Sequence, residues 1–414
     1  MPRGMIDALI VGAGAAGLRA GAELLRKGLS VLVLEARDRI GGRVHSVDDR
    51  ELGEVVELGA EFVHGPLGEL KKARLKLDEM DGRHMAFVEG KLRDATKEIH
   101  SMLRALGDAR GPGTAQSWLA RAPLEPFERE LARHYIEGFF AAPAAFVGLE
   151  GVANEQGMRA RHVIGGYDRA LRKDANALHE EGALRFGVRV EKVRWRRDRV
   201  EVEAHTRTGT VEQLEARRAL ISVPVSILSA PDGLRFDPPL RHKREALAWV
   251  RTGSVIKALL RFREPFWRTG ALRKVDFFHA PALPFPTWWR GSPREVPLLT
   301  GWAGGPAADR LPRHQLLHAA LESLSLIFAR PVRELDSLLD GVRTIDWSAD
   351  PLARGAYAYE LAGAPADLAQ QLAAPEQDTL FFAGEATSLD GRSGTVDGAL
   401  ETGRRAAREL LRSL

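Results

Sequence analysis

Ile6-Asp7-Ala8-Leu9-Ile10-Val11-Gly12-Ala13-Gly14-Ala15-Ala16-Gly17, followed by Leu18 to Lys27, Gly28 and Ser30-Val31-Leu32-Val33-Leu34-Glu35, decides the fold. Ile6 to Val11 is a short apolar run ending at glycine, which predicts a buried parallel strand. Leu18 to Lys27 has helical spacing, with Leu18, Ala22 and Leu25 on one side, and Gly28 stops the helix. Ser30 to Leu34 predicts a second buried strand. Gly12 permits the tight turn, Gly14 lets a pyrophosphate approach the backbone, and Gly17 lets helix and strand pack closely. Ala15 and Ala16 open the helix, whose unpaired N–H groups and positive dipole end suit phosphate. Glu35 lies about 20 residues beyond the glycines, where a carboxylate accepts bonds from ribose hydroxyls. Strand, glycines, helix, strand and acid in this order predict a dinucleotide site. A glycine-rich turn in some other α/β domain would leave Glu35 unexplained.

The chain has 414 residues. Single cores stop growing near ~250–300 residues, so two domains are expected. Its 60 basic and 56 acidic residues are interspersed and leave a net charge of +4. That is no dedicated basic arm, and no nucleic-acid partner is expected. With no cysteine, disulfides, thiolate metal sites and a cysteine nucleophile are excluded. The histidines include no HExxH pair. His134, His162, His179, His242 and His318 are scattered and read as surface or core residues, so no metal is expected. The segment before Ile6 lacks the regions of a secretory signal. Ala8 to Val11 is too short to span a bilayer. A cytoplasmic protein without a membrane partner is expected. Oligomeric state is open between monomer and homodimer.

Glu35-Ala36-Arg37-Asp38-Arg39-Ile40-Gly41-Gly42-Arg43 resembles the extension found in the flavin-containing amine oxidase superfamily, which includes monoamine and polyamine oxidases. The resemblance implies FAD. Gly42 lets the backbone come close to the cofactor. Arg43 can offer a forked cation to the pyrophosphate, with Arg37 second. Glu57-Leu58-Gly59-Ala60-Glu61-Phe62-Val63-His64-Gly65 resembles the segment beside the flavin, with Phe62 where a Trp is usual. Gly165-Gly166-Tyr167, Val190 at the adenine position and Pro224 beside the cofactor extend the match. Ala383-Gly384-Glu385 and Gly394-Thr395-Val396 resemble the second fingerprint of this family. Gly384 and Glu385 would sit near the ribityl chain. Thr395 and Val396 would meet the polar edge of the flavin, where the positive end of the last helix stabilises negative charge.

The resemblance implies an α/β fold: a Rossmann-type (GR2-like) FAD-binding domain with an α+β substrate domain of mixed sheet and helices. The first is expected from residues 1–70, 165–230 and 345–414, and the second from 71–164 and 231–344. Residues 70–160 read as helical. Ser254 to Phe262 and Leu298 to Trp302 read as strands, and His314 to Phe328 as an amphipathic helix.

The implied reaction is oxidation of a small amine to an imine, with O2 returning the flavin to its oxidised state and giving hydrogen peroxide. Lys257 matches the family lysine that reaches flavin N5 through a water; by composition alone it is a sheet-edge lysine. Tyr357 matches the aromatic over the flavin face. Thr395 occupies the second position of the family's aromatic cage, so a two-tyrosine sandwich is absent. Ala356 stands where monoamine oxidases carry the flavin-linking cysteine, so FAD is expected to be non-covalent. Trp347 packs either near the flavin or in the core. His64 matches a channel histidine of polyamine-oxidising relatives, which favours polyamines, or is a loop histidine. Glu61 either attracts a cationic substrate or is solvated. The alternatives are a flavin dehydrogenase or desaturase of a C–C bond, an L-amino-acid oxidase, and a flavin-binding protein without turnover.

Overall fold

A computed structural model describes residues 5–64, 67–80, 82–149 and 160–414. β1 (Ile6–Val11), α1 (Ala15–Arg26) and β2 (Val31–Glu35) form a βαβ unit. β1 pairs in parallel with β2 on one side and with strand Val211–Ile221 on the other. Ala8, Leu9 and Ile10 are wholly buried, as expected of a parallel strand covered on both faces. The full sheet runs Leu184–Phe186, β2, β1, Val211–Ile221, Arg199–Thr206, Val188–Arg196 and Arg235–Asp237. Strand Leu380–Phe382 joins it beside Ala219–Ile221. Three distant stretches of chain therefore share one sheet. α1 packs against helix Arg169–Glu180 and against the final helix, Val396–Arg412. At Gly403 a Cβ would stand 2.2 Å from the Ala16 carbonyl oxygen, so this approach requires glycine.

The second sheet runs Leu339–Asp346, Val255–Phe262, Leu298–Gly304, Thr287–Arg290, Val275–His279, Arg83–Val88 and Lys91–Asp94. It is mixed, because Val275–His279 pairs in parallel with Arg83–Val88. Helix Leu316–Phe328 packs against Val255–Phe262 and Leu339–Asp346, while helices Thr96–Gly107 and Pro126–Phe139 meet the sheet elsewhere.

Two expectations change. The segment 70–160 is not helical throughout: strands Leu77–Glu79, Arg83–Val88 and Lys91–Asp94 precede its helices. Arg83–Val88 has two partners, the adjacent Lys91–Asp94 across a turn at Glu89-Gly90 and the distant Val275–His279 in parallel, and only the second is hidden from a local reading. Strand Arg235–Asp237 extends the first sheet past the boundary expected at 230, because it pairs with Lys192–Arg194. Among the described residues no helix is long and apolar enough to cross a membrane.

Candidate active site

A cavity of about 1680 Å³ is walled by both sheets. From the first turn it takes Gly12, Gly14, Ala15 and Ala16, and from the end of β2 Glu35, Ala36 and Arg37. Gly42, Arg43, Gly59, Ala60, Glu61, Val190, Pro224, Trp347, Gly384, Glu385, Thr395 and Val396 also line it. So do Lys257, Tyr357 and His64. Gly17 does not: a Cβ there would stand 2.0 Å from the Gly12 carbonyl oxygen, so its role is packing.

The walls suit a dinucleotide. α1 starts at Gly14 with no side-chain cap, so its first N–H groups open on the cavity. Gly12, Gly41 and Gly42 adopt φ of +105°, +96° and +61°, which brings bare backbone to that wall. The final helix opens on the same cavity, capped by Thr395, whose Oγ1 accepts the Gly398 N–H at 2.9 Å. Two positive helix ends thus face one cavity, an arrangement that suits a pyrophosphate and an electron-rich ring edge. Glu35 is buried and held in place: its carboxylate accepts Ala13 N–H at 2.7 Å and Arg37 N–H at 2.8 Å. Its remaining lone pairs can accept ribose hydroxyls.

Arg37 departs from expectation. Its guanidinium makes a forked pair with Asp350 at 2.9 and 2.7 Å, so it braces the loop before Tyr357 rather than standing ready for phosphate. Arg43 Nη1 donates to Ala356 O at 2.6 Å and to Glu385 Oε1 at 2.8 Å. Glu385 also accepts Gly394 N–H at 2.9 Å. One carboxylate therefore joins the early arginine to both late loops.

Lys257 sits inside the second sheet, between strands Leu298–Gly304 and Leu339–Asp346, and is no edge lysine. It is completely buried. Its Nζ donates to Glu57 O at 2.6 Å, Gly59 O at 3.2 Å and Glu61 Oε2 at 2.6 Å. All three ammonium protons are engaged, so a water bridge toward a cofactor would compete with the long bond to Gly59. Glu61 is buried, not solvated. Its Oε1 accepts Trp289 Nε1–H at 2.7 Å and lies 2.9 Å from His162 Nε2. Burial opposes its charge, but Lys257 and His162 outweigh that and hold its pKa down to about 2. Both oxygens are spent within the protein, which removes the expected role of attracting a substrate cation. Glu57 behaves oppositely: burial pushes its pKa up to about 8 despite bonds from Tyr167 N–H and the Ser46 hydroxyl.

The Tyr357 ring lies against Gly394, where an added Cβ would be 3.6 Å away, and its hydroxyl donates to Phe139 O. Trp347 is buried and donates to Leu58 O at 2.9 Å, which braces the segment carrying Gly59. His64 packs against Phe62 and Phe139 with ring centroids at 6.0 and 5.7 Å. Burial, with help from the Arg161 charge, lowers its pKa to about 4, and among the described residues its buried Nδ1 has no hydrogen-bond partner. Sequence reasoning missed His84, His279 and Trp289 and set His134 aside, yet all four line the cavity. They come from separate strands and one helix and share no motif, so no signal in the sequence groups them.

The family model for flavin containing amine oxidoreductases matches residues 15–80 and 85–411. The chain belongs to that family. It is an FAD-dependent amine oxidase, and with no cysteine in the chain the flavin has no thioether partner and is held non-covalently. The chain is 30% identical to polyamine oxidase 3 of Oryza sativa subsp. japonica over 450 residues, covering 97% of this chain and 88% of the relative. It is 28% identical to the flavin-dependent L-tryptophan oxidase of Lentzea aerocolonigenes, covering 99% of each. The fold of the amine oxidase matches cyclohexylamine oxidase from Brevibacterium oxydans IH-35A with a TM-score of 0.83 at 21% identity, covering 99% of each chain. It matches putrescine oxidase bound to putrescine with a TM-score of 0.81 at 22% identity, covering 98% of this chain and 99% of the other.

Proposed function

We propose that this amine oxidase converts a primary or secondary amine to an imine, with O2 as the final acceptor and hydrogen peroxide as the second product. The carrying observation is a buried lysine, Lys257, in the wall of the cavity that also holds Tyr357 and both FAD fingerprints. FAD, when bound, accepts the hydride lost from the carbon next to nitrogen. The amine must arrive neutral, because an ammonium has no lone pair to support that loss. His64 serves this need: its imidazole is neutral above about pH 4, and Nδ1 can take part in a hydrogen bond with the substrate nitrogen. Tyr357 supplies an aromatic wall that orients the amine. Lys257 Nζ sits at the cavity wall, where exchanging its long bond to Gly59 O for a water would lower the cost of negative charge on oxygen. The relatives named for polyamine and L-tryptophan oxidation support the reaction class. The same proposal keeps the enzyme in the cytoplasm, as a monomer or homodimer, with its domains divided near the boundaries expected from sequence.

The test is anaerobic mixing of the FAD-loaded protein with amines, amino acids and polyamines, followed by a peroxide assay in air. Bleaching of the flavin and one peroxide per amine are expected. A flavin that stays yellow with every compound sinks the reading. An L-amino acid is the second reading, favoured by Arg104, an exposed cation on the cavity wall that can meet a carboxylate.

A further inference from the structure

We propose that His84, His134 and His279 form a recognition wall for the far end of the substrate, and that this wall selects a ring-bearing amine over a diamine or polyamine. The inference rests on the amine-oxidase reading above and names its substrate class.

The three histidines meet from different elements. His84 Nδ1 and His279 Nε2 lie 3.0 Å apart, and His134 Nε2 lies 2.9 Å from the Thr287 hydroxyl. The His84 ring stacks on Phe277 at 5.1 Å and 7°, and on His279 at 5.3 Å and 15°. His134 meets His279 edge-on at 5.8 Å. Phe62 and Trp289 continue the wall, with ring centroids 6.2 and 6.4 Å from Phe277. All six rings line the cavity.

The electrostatics of the wall decide what it accepts. Burial keeps all three imidazoles neutral, with His84 and His134 at about 4 and His279 well below its ordinary value. The charged groups acting on His84 are His100, Asp276 and Asp94. Asp276 is already paired with Arg290 and Arg294, and Asp94 is half-exposed beside Arg83. Among the described residues, those acting on His279 are His84 and His134. Glu61 reaches the wall through Trp289, but its oxygens are taken by Lys257, His162 and Trp289. A second ammonium placed here loses its water and finds no carboxylate among the described residues of the wall. An aromatic or alicyclic ring instead gains edge and face contacts with Phe277, Phe62 and Trp289. Each neutral imidazole carries one donor and one acceptor, so a phenol, hydroxyl or indole N–H on that ring is also served.

The test uses the FAD-loaded enzyme with 2-phenylethylamine, cyclohexylamine, putrescine and spermidine. The ring amines are expected to exceed the other two in kcat/KM by about tenfold or more, a ratio that pocket contacts can supply. His134→Asp and His279→Asp each add a carboxylate to the wall. Either is expected to move the putrescine to phenylethylamine ratio by about tenfold toward putrescine, mainly through KM. Where one of them fails to retain FAD, the other and the wild-type ranking decide. Putrescine or spermidine matching the ring amines in the wild type overturns the inference and leaves the amine-oxidase reading standing. So does an Asp variant that holds FAD and shows no shift. If none of the four amines bleaches the flavin, the parent reading falls and the inference with it.

Discussion

Lys257 Nζ lies 2.6 Å from Glu61 Oε2, and both side chains are shut away from solvent. Breaking such a buried pair typically costs ~3–5 kcal/mol, because the surviving charge is left without a partner. Lys257→Met is therefore expected to lower stability by about that amount and to slow flavin reduction or re-oxidation while FAD stays bound. The double variant Lys257→Met, Glu61→Gln should recover part of the stability and none of the rate. Denaturant unfolding and stopped-flow absorbance read the two effects separately. Wild-type kinetics in Lys257→Met would remove the lysine from the chemistry.

Glu57 holds its proton in the folded protein up to about pH 8, against an ordinary value of 4.5. Between those values the folded state binds the proton and the unfolded state does not, so this group lowers stability as pH rises. Glu57→Gln should gain stability relative to wild type between pH 5 and pH 8. Melting curves at both pH values check this. A difference that does not change with pH contradicts it.

His64, His84 and His134 work in the other direction. Their folded values are about 4, against an ordinary 6.5. Between pH 6.5 and 4 the unfolded chain takes up protons that the folded one refuses, so stability falls as the solution is acidified. The contribution from Glu61 is lost later, between 4.5 and about 2. Removing one term with His64→Phe should make the urea midpoint decline less steeply from pH 7 to pH 4.5. An unaltered slope would show that His64 is not held neutral.

Gly403→Ala sets two effects against each other. Alanine favours a helix interior by ~1 kcal/mol over glycine. Here its methyl would stand 2.2 Å from the Ala16 carbonyl oxygen, and backbone displacement of this kind costs ~1–3 kcal/mol. Net destabilisation and weaker FAD retention are expected, read by melting temperature and by gel filtration of the yellow protein. A more stable Gly403→Ala would mean that the helices part without strain.

Tyr357→Phe removes the hydroxyl that donates to Phe139 O but keeps the ring. KM should rise a few-fold with kcat little changed, whereas Tyr357→Leu should lower both kcat and kcat/KM, as loss of an orienting wall would. Steady-state kinetics on one amine distinguish the two variants. Equal behaviour of Phe and Leu would deny the ring its role.

The cofactor half of this molecule could be read from sequence because its signals are local. Gly12, Gly14 and Gly17 fall within one turn, and Glu35 closes the unit at the next strand end. The late Gly384-Glu385 pair could be read for the same reason, and its carboxylate meets Arg43 across the fold. The ties that give charges their purpose were not readable. Arg37 pairs with Asp350, Glu61 with Lys257, and neither separation follows any periodicity. Arg83–Val88 has a hairpin partner in Lys91–Asp94, but its pairing with the distant Val275–His279, which brings His84 to His279, follows no local pattern, and the histidine wall was hidden with it. Local chemistry yields the cofactor, whereas substrate preference sits in contacts that only the folded chain creates.

The close seating of Gly403 on Ala16 also bears on how the enzyme matures. The turn from Gly12 to Gly17 leaves the ribosome long before the helix Val396–Arg412 that packs against it. Until residues near 395 emerge, the nascent polypeptide has only one side of its vitamin-derived ligand's berth. Loading therefore waits for that helix, and binding to chains that carry it draws them into the mature state by mass action. Riboflavin-starved cells should accumulate colourless, protease-sensitive precursor rather than slow enzyme.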